Sequence, residues 1–272
     1  MNRANILRST VIGLCLAVAA LGAIAKHRPA PPLPTPEETS QLGNADFVIA
    51  GVESRRETAG ATNATVEGTI TYERDRKRSW RYQRYYVKGR NKGPLAEAVV
   101  ALSPLVRNPV FTKNRVSKSR THLVDQKDFR FTPETIAIRA GDRVKFTNSD
   151  GALHNVFSPS KIHRFDVNLR KGNENIQTFD RAGGTAEPAR LRCAFHSSMQ
   201  AWIYVFDHPY YQVTQVDGRF QFKNVPPGRY ELVMVHPSGE LKVVKQLTVA
   251  AAKTIRLDVR VSPDNKVAPK PK

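Results

Sequence analysis

The chain has 272 residues, 43 Lys and Arg against 24 Asp and Glu, a formal charge of +19 and 40% hydrophobic residues. That length suits one or two globular units of roughly 100 to 200 residues each, and the hydrophobic content excludes a disordered polymer. Only one segment is apolar enough to meet a membrane, which excludes a polytopic membrane protein, and the two cysteines, Cys15 and Cys193, exclude a disulfide-stapled scaffold, a zinc ribbon or a four-thiolate iron–sulfur centre.

Arg3 and Arg8 lead an apolar run from Val11 to Ala25 that closes on Ala23-Ile24-Ala25, the pattern of an export signal cleaved after Ala25. The alternative is an uncleaved anchor, although its 15 residues fall short of the ~17 to 25 of a spanning helix. Removing residues 1–25 deletes two arginines and no acid, lowering the charge from +19 to +17, and deletes Cys15. Cys193 is then the one thiol left in an oxidising compartment, where a metal ion or burial has to protect it. Localisation is therefore expected to be periplasmic or extracellular. Residues 26–61 hold five prolines between Pro29 and Pro36 and read as an extended tether.

From Thr65 onward short alternating apolar segments are separated by Gly, Pro, Asn and Asp, and no stretch supports an amphipathic helix, so the protein is expected to be all-β. Strands are predicted at 66–72, 98–102, 135–139, 143–147, 189–193 and 202–206. In the fourth, Val144 and Phe146 share one face and Arg143 and Lys145 the other, as in a half-buried sheet. Between Arg74 and Lys92 stand nine Lys and Arg and one acid, Asp75, interleaved with Trp80, Tyr82, Tyr85 and Tyr86. This stretch, with Arg74, Arg76, Lys77, Arg78, Arg81 and Arg84 at its head, is either a solvated basic insertion or a docking face for an acidic partner or an anionic envelope surface. Nucleic acid is not expected as a partner of an exported protein. Further on, Asp217-Gly218 predicts a tight hairpin turn, Phe220 and Phe222 share a face, and Pro226-Pro227-Gly228 turns the chain into a returning strand, Tyr230 to Val235: a second small sandwich.

The chemistry is concentrated in Cys193-Ala194-Phe195-His196-Ser197-Ser198-Met199, with His154-Asn155-Val156-Phe157 lying 39 residues before Cys193. Two imidazoles, a thiolate and a thioether are the donors of a blue-copper site, in which soft sulfur suits Cu(I) and imidazole suits either oxidation state. Four protein ligands leave no easy place for a substrate, so electron transfer is expected rather than catalysis, and the chain lacks the Gly-x-Ser-x-Gly, His-Glu-x-x-His and phosphate-loop patterns of common enzymes. Phe195 and Trp202 are the expected apolar shield of such a site.

The stretches DQKDFRFTPETIAIRAGDRVKFTNSDGALHNVFS and LRCAFHSSMQAWIYVFDHPYY resemble the cupredoxin family, most of all its short-loop amicyanin and plastocyanin-like members and the exported bacterial proteins of the methylamine utilisation type. The resemblance implies a Greek-key cupredoxin β-sandwich over residues 119–208 with one type 1 copper held by His154, Cys193, His196 and axial Met199. It also implies that Asn155 ties the His154 and Cys193 loops together. VDGRFQFKNVPPGRYELVMV is similar to the carboxypeptidase-regulatory, transthyretin-like module, which implies an additional small β-sandwich over 209–262 and no activity. Residues 62–118 then form an N-terminal β segment with the basic insertion, and 263–272 a basic tail. Relatives of this layout carry Pro-Trp where this chain has Ser197-Ser198, so a wetter site is expected. The function these features imply is an exported single-electron carrier with a redox protein partner, acidic if charge decides. The alternatives are a Cu(I) carrier or a non-redox envelope-binding protein.

Overall fold

The computed structural model describes residues 63–78, 80, 86–89, 92–106 and 118–267. The export signal, Cys15, the tether, Tyr82, Tyr85, Arg81, Arg84 and the end of the basic tail lie outside the described residues. Every element longer than a single turn is a strand, eighteen in all among the described residues, so the chain is all-β. The sequence explains why: buried positions recur at every second residue, as in Asp142–Asn148, where Asp142, Val144, Phe146 and Asn148 are buried and the residues between them are not.

Nine of these strands build an inner sandwich. One layer consists of β4 (Thr121–Lys127), β5 (Arg130–Thr132), β7 (Asp142–Asn148) and β10 (Glu174–Phe179), in the order β10-β7-β4-β5. The other consists of β6 (Thr135–Arg139), β8 (His154–Pro159), β9 (Arg164–Leu169), β11 (Ala189–Arg192) and β12 (Gln200–Phe206), in the order β6-β12-β11-β8-β9. The chain passes repeatedly from layer to layer, so β4 runs parallel to β7 and β6 parallel to β12 while the other pairs are antiparallel. Val124, Phe131, Ile138, Val144, Phe146, Val156, Leu191 and Ile203 fill the space between the layers.

The stretches before and after this sandwich are halves of one further sandwich. From the N-terminal side come β1 (Ala64–Glu73), β2 (Lys92–Pro94) and β3 (Val99–Pro104). From the C-terminal side come β13 (Tyr211–Val213), β14 (Arg219–Val225), β15 (Gly228–His236), β16 (Leu241–Val249), β17 (Thr254–Arg256) and β18 (Val259–Val261). Strand β1 pairs with β14, β17, β18 and β2, and the facing layer runs β13-β3-β15-β16. The N-terminal segment and the C-terminal module thus share a core, with Val66, Ile70, Tyr72, Val100 and Leu102 packed among Phe220, Phe222, Tyr230, Leu232 and Met234.

Asp217-Gly218 and the Pro226-Pro227-Gly228 corner do not close hairpins. Strands β13 and β15 belong to one layer and β14 to the other, so both corners carry the chain across the core. Gly218 has φ +68°, and a Cβ there would stand 2.4 Å from the Ile70 carbonyl oxygen, whose residue donates its own N–H to Gly218 O at 2.8 Å. That close approach is what the position demands of glycine.

Strand parity joins the two sandwiches. On β12, Ala201, Ile203 and Val205 face the inner core, while Tyr204 and Phe206 face outward onto Val99 and Ala101 of β3 and Val233 and Val235 of β15, with Trp202 packed beside them. Strands β3 and β15 consequently bury both faces over much of their length, which is why they read as unbroken apolar runs. Phe206 is 2% exposed and stacks on Tyr211 with ring centroids 4.6 Å apart.

Candidate metal centre

His154 opens β8 and is fully buried; Cys193 follows the last residue of β11 and is 4% exposed. His196 lies in the loop that returns to β12, and the Met199 N–H donates to the His196 carbonyl at 3.0 Å, curling that loop into a tight turn. Strands β8 and β11 are paired neighbours, so their ends deliver His154 and Cys193 to the same edge of the inner sandwich. The ligating atoms of His154, Cys193 and His196 all lie within 4.8 Å of one another. His154 Nδ1 stands 3.1 Å from His196 Nδ1, and Cys193 Sγ stands 3.6 Å from the same His196 nitrogen. Met199 is 1% exposed and packs in the inner core with Cys193.

Asn155 binds the two ligand-bearing segments together. Its backbone N–H donates to Cys193 Sγ at 3.3 Å and its side-chain oxygen accepts from the Ala194 N–H at 3.2 Å. Its amide group donates to Asp166 Oδ1 at 2.6 Å, Asn168 Oδ1 at 2.9 Å and the Val167 carbonyl at 3.3 Å. That N–H is aimed at the sulfur and helps to fix where it sits.

Two residues at this edge escaped the sequence reading. Asp150 accepts from His154 Nε2 at 2.7 Å and also from the backbone N–H groups of Asp128 and Phe129 at 2.8 and 3.0 Å. Burial pushes the Asp150 carboxyl up, but these donors outweigh it and leave its pKa below the usual carboxylate value. Phe129, at the tip of the β4–β5 hairpin, meets both imidazoles edge to face, with ring centroids 5.4 Å from His154 and 4.9 Å from His196. The Asp150 to His154 spacing of four residues is visible in the sequence; the approach of Phe129 from a distant hairpin has no local signal.

The expected shield is corrected. Trp202 has the outward parity of β12, so it lines the junction of the two sandwiches, opposite the core that holds Cys193 and Met199. Phe195 is 52% exposed and does not close the centre from water. Ser197 and Ser198 are exposed as well. His163 takes no part: its Nε2 faces the Arg181 carbonyl at 2.7 Å and its ring packs on Phe179. Arg74, Arg76, Lys77 and Arg78 are exposed at the end of β1 on the flanking sandwich, and Arg78 is ion-paired with both Asp75 and Asp264 at 2.5 Å.

No protein-family model and no curated protein matches the sequence. Among solved structures, the chain is similar to amicyanin from Paracoccus versutus, with 19% identity, a TM-score of 0.27 and coverage of 39% of this chain and 98% of that one. It is similar to a purple cupredoxin from Nitrosopumilus maritimus, with 19% identity, a TM-score of 0.27 and coverage of 31% and 99%. A third is a copper-containing nitrite reductase from Thermus scotoductus, with 19% identity, a TM-score of 0.30 and coverage of 38% of this chain and 25% of that one.

What marks a metal centre here is the side chains themselves. One cysteine sulfur and two imidazole nitrogens converge, and Nε2 of His154 is already engaged by Asp150, leaving Nδ1 as its ligating atom. Soft sulfur with two imidazoles suits copper.

Proposed function

We propose that the inner sandwich holds one type 1 copper through His154, Cys193 and His196, with Met199 as a weak fourth donor, and carries single electrons between redox partners outside the cytoplasm. The observation that carries this reading is the convergence of one sulfur and two imidazole donor atoms within 4.8 Å at the ends of two paired strands. A bound copper supplies a one-electron couple. The chain's own residues supply the rest: Asn155 holds the sulfur, and strands β8 and β11 fix the donors so that little has to move when charge changes. Leu153, Phe195 and Phe129, each between 43% and 52% exposed, give this edge an apolar surface beside His196 for a partner to cover. The charge of +17 that stays after loss of residues 1–25 favours an acidic partner or an anionic surface, with association weakening as salt screens the attraction.

The test is an absorption and paramagnetic-resonance spectrum of the protein after stoichiometric Cu(II), with Cys193→Ser beside it. An intense visible thiolate-to-copper band with small hyperfine splitting, both lost in the variant, is the expected result. A colourless wild type whose thiol titrates freely overturns the electron-carrier reading.

A further inference from the structure

We propose that Asp150 is a positioning residue of the metal centre: its carboxylate sets the rotation and tautomer of His154 and, with the same two oxygens, holds Phe129 against both ligand imidazoles. The consequence for copper rests on the reading above; the placement of the imidazole does not.

The carboxylate is itself fixed. The Asp150 N–H donates to Asn148 Oδ1 at 2.9 Å, and the Asn148 amide donates to the carbonyls of Ala152 and Leu169, both at 2.8 Å. Asn148 is buried at the end of β7, and Leu169 is the residue paired with His154 across β8 and β9. Asp150 therefore hangs from the strand ends that border the centre rather than from a free loop. An ionised carboxylate only accepts hydrogen bonds, so the 2.7 Å contact requires the proton on His154 Nε2 and leaves the Nδ1 lone pair turned toward His196 and Cys193. His154 is fully buried, so in the intact protein Asp150 and not solvent is the acceptor at Nε2.

The second half of the arrangement is the hairpin tip. Asp128 and Phe129 have φ +54° and +57°. That left-handed region is unfavourable for a residue bearing a Cβ. Neither is glycine, so the turn needs compensation, and the two N–H groups that the left-handed pair points inward are the ones Asp150 accepts. The same pair aims the Phe129 ring across His154 and His196. One carboxylate thus links a buried ligand, a turn of unfavourable conformation and the ring that covers the ligand pair. A carboxylate hydrogen-bonded behind a ligand imidazole strengthens its donation to a bound metal, which favours Cu(II) over Cu(I).

The experiment compares the wild type with Asp150→Asn, Asp150→Ala and the control Asp142→Asn, which removes a comparably bonded carboxylate at the start of β7. In copper-free protein, nitrogen NMR of the His154 ring is expected to show one tautomer, protonated at Nε2, with a slowly exchanging proton. Asp150→Asn mixes the tautomers and Asp150→Ala abolishes the slow proton, whereas Asp142→Asn changes neither. In copper-loaded protein, both Asp150 variants are expected to lose about tenfold in the preference for Cu(II) over Cu(I), about 59 mV upward for a one-electron couple. Asp150→Asn keeps the side-chain shape, so it reports even where Asp150→Ala fails to fold. A single wild-type tautomer and an unchanged potential in Asp150→Asn, with only a lowered Tm, overturn the proposal and reduce Asp150 to a turn brace. A colourless wild type whose His154 tautomer still depends on Asp150 defeats the copper reading and leaves the positioning role standing.

Discussion

Two carboxylates are drawn into this molecule and behave in opposite ways. Asp150, at the metal-centre edge, receives three hydrogen bonds, so its carboxyl pKa is held below the usual carboxylate range despite burial. Glu97 sits at φ +57° between β2 and β3, in a cleft of about 570 Å³ where the flanking sandwich meets Pro133, Thr135, Ile136 and His122 of the inner one. One of its oxygens is buried with no hydrogen-bond partner among the described residues. Burial first, and the nearby charge of Glu134 second, push it up to about 7. Desolvation acts on both carboxyls; the donors outweigh it at Asp150, whereas those of Thr135 do not outweigh it at Glu97. The metal-centre edge is built as a closed hydrogen-bond network, whereas the seam between the sandwiches is apolar packing with an acid left at its margin.

The largest effect that separates the two regions comes from the seam. Phe206→Ala removes a side chain that is 2% exposed and stacked on Tyr211. It should cost roughly 3–5 kcal/mol in denaturant unfolding. Because Phe206 faces away from the inner core, the absorption of copper-loaded protein should be unchanged; a lost band would mean that the seam and the centre are coupled.

Glu97 sets the next effect. Its folded pKa of about 7 lies above the ordinary 4.5, so the folded state binds the proton more readily. Stability from this group therefore falls as pH rises from about 4.5 through about 7, by roughly 3 kcal/mol. Asp142 acts in the opposite sense. Burial raises its pKa, but donors from the Arg120 N–H, His122 and the Arg139 N–H leave it lowered, so its contribution is present above about 3.8 and lost on further acidification. Denaturant titrations across pH should show Glu97→Gln removing the decline between 4.5 and 7 while leaving the acid limb intact. A decline that persists in Glu97→Gln would assign it to another group.

The smallest effect sharpens the metal-centre side. Ser197→Pro combined with Ser198→Trp replaces two exposed residues between His196 and Met199, so the change in stability should stay within about 0.5 kcal/mol. Voltammetry should nonetheless register a shifted potential, because a stiffer and drier segment changes solvent access to His196. Indistinguishable potentials would show that this polar stretch leaves the centre no wetter than Pro-Trp does.

Much of this was legible along the chain, for local reasons. Alternation in Arg143 to Thr147 marks a half-buried strand whatever it pairs with, and soft and imidazole donors at Cys193, His196, Met199 and His154 name a metal's preferences before any fold is known. Asn155 was legible by resemblance, and its hydrogen bonds are those of a tie between the two segments. Trp202 shows the limit. Its neighbours Ala201 and Ile203 have the opposite parity, but nothing in the string QAWIYVF says which face meets the inner core, since a second sandwich makes both faces of β12 apolar.

The sequence by itself determined part of the strand-forming segments, the all-β class and the set of candidate donors, because side-chain alternation and ligand chemistry are properties of residues and their near neighbours. Only the tertiary structure decided that β1 to β3 and β13 to β18 share one core, that Trp202 belongs to the seam, and that Asp150 joins His154 to a hairpin tip some twenty residues away in the chain. Each of those depends on which distant strands pair, and pairing is settled by burying the apolar faces of the whole chain at once.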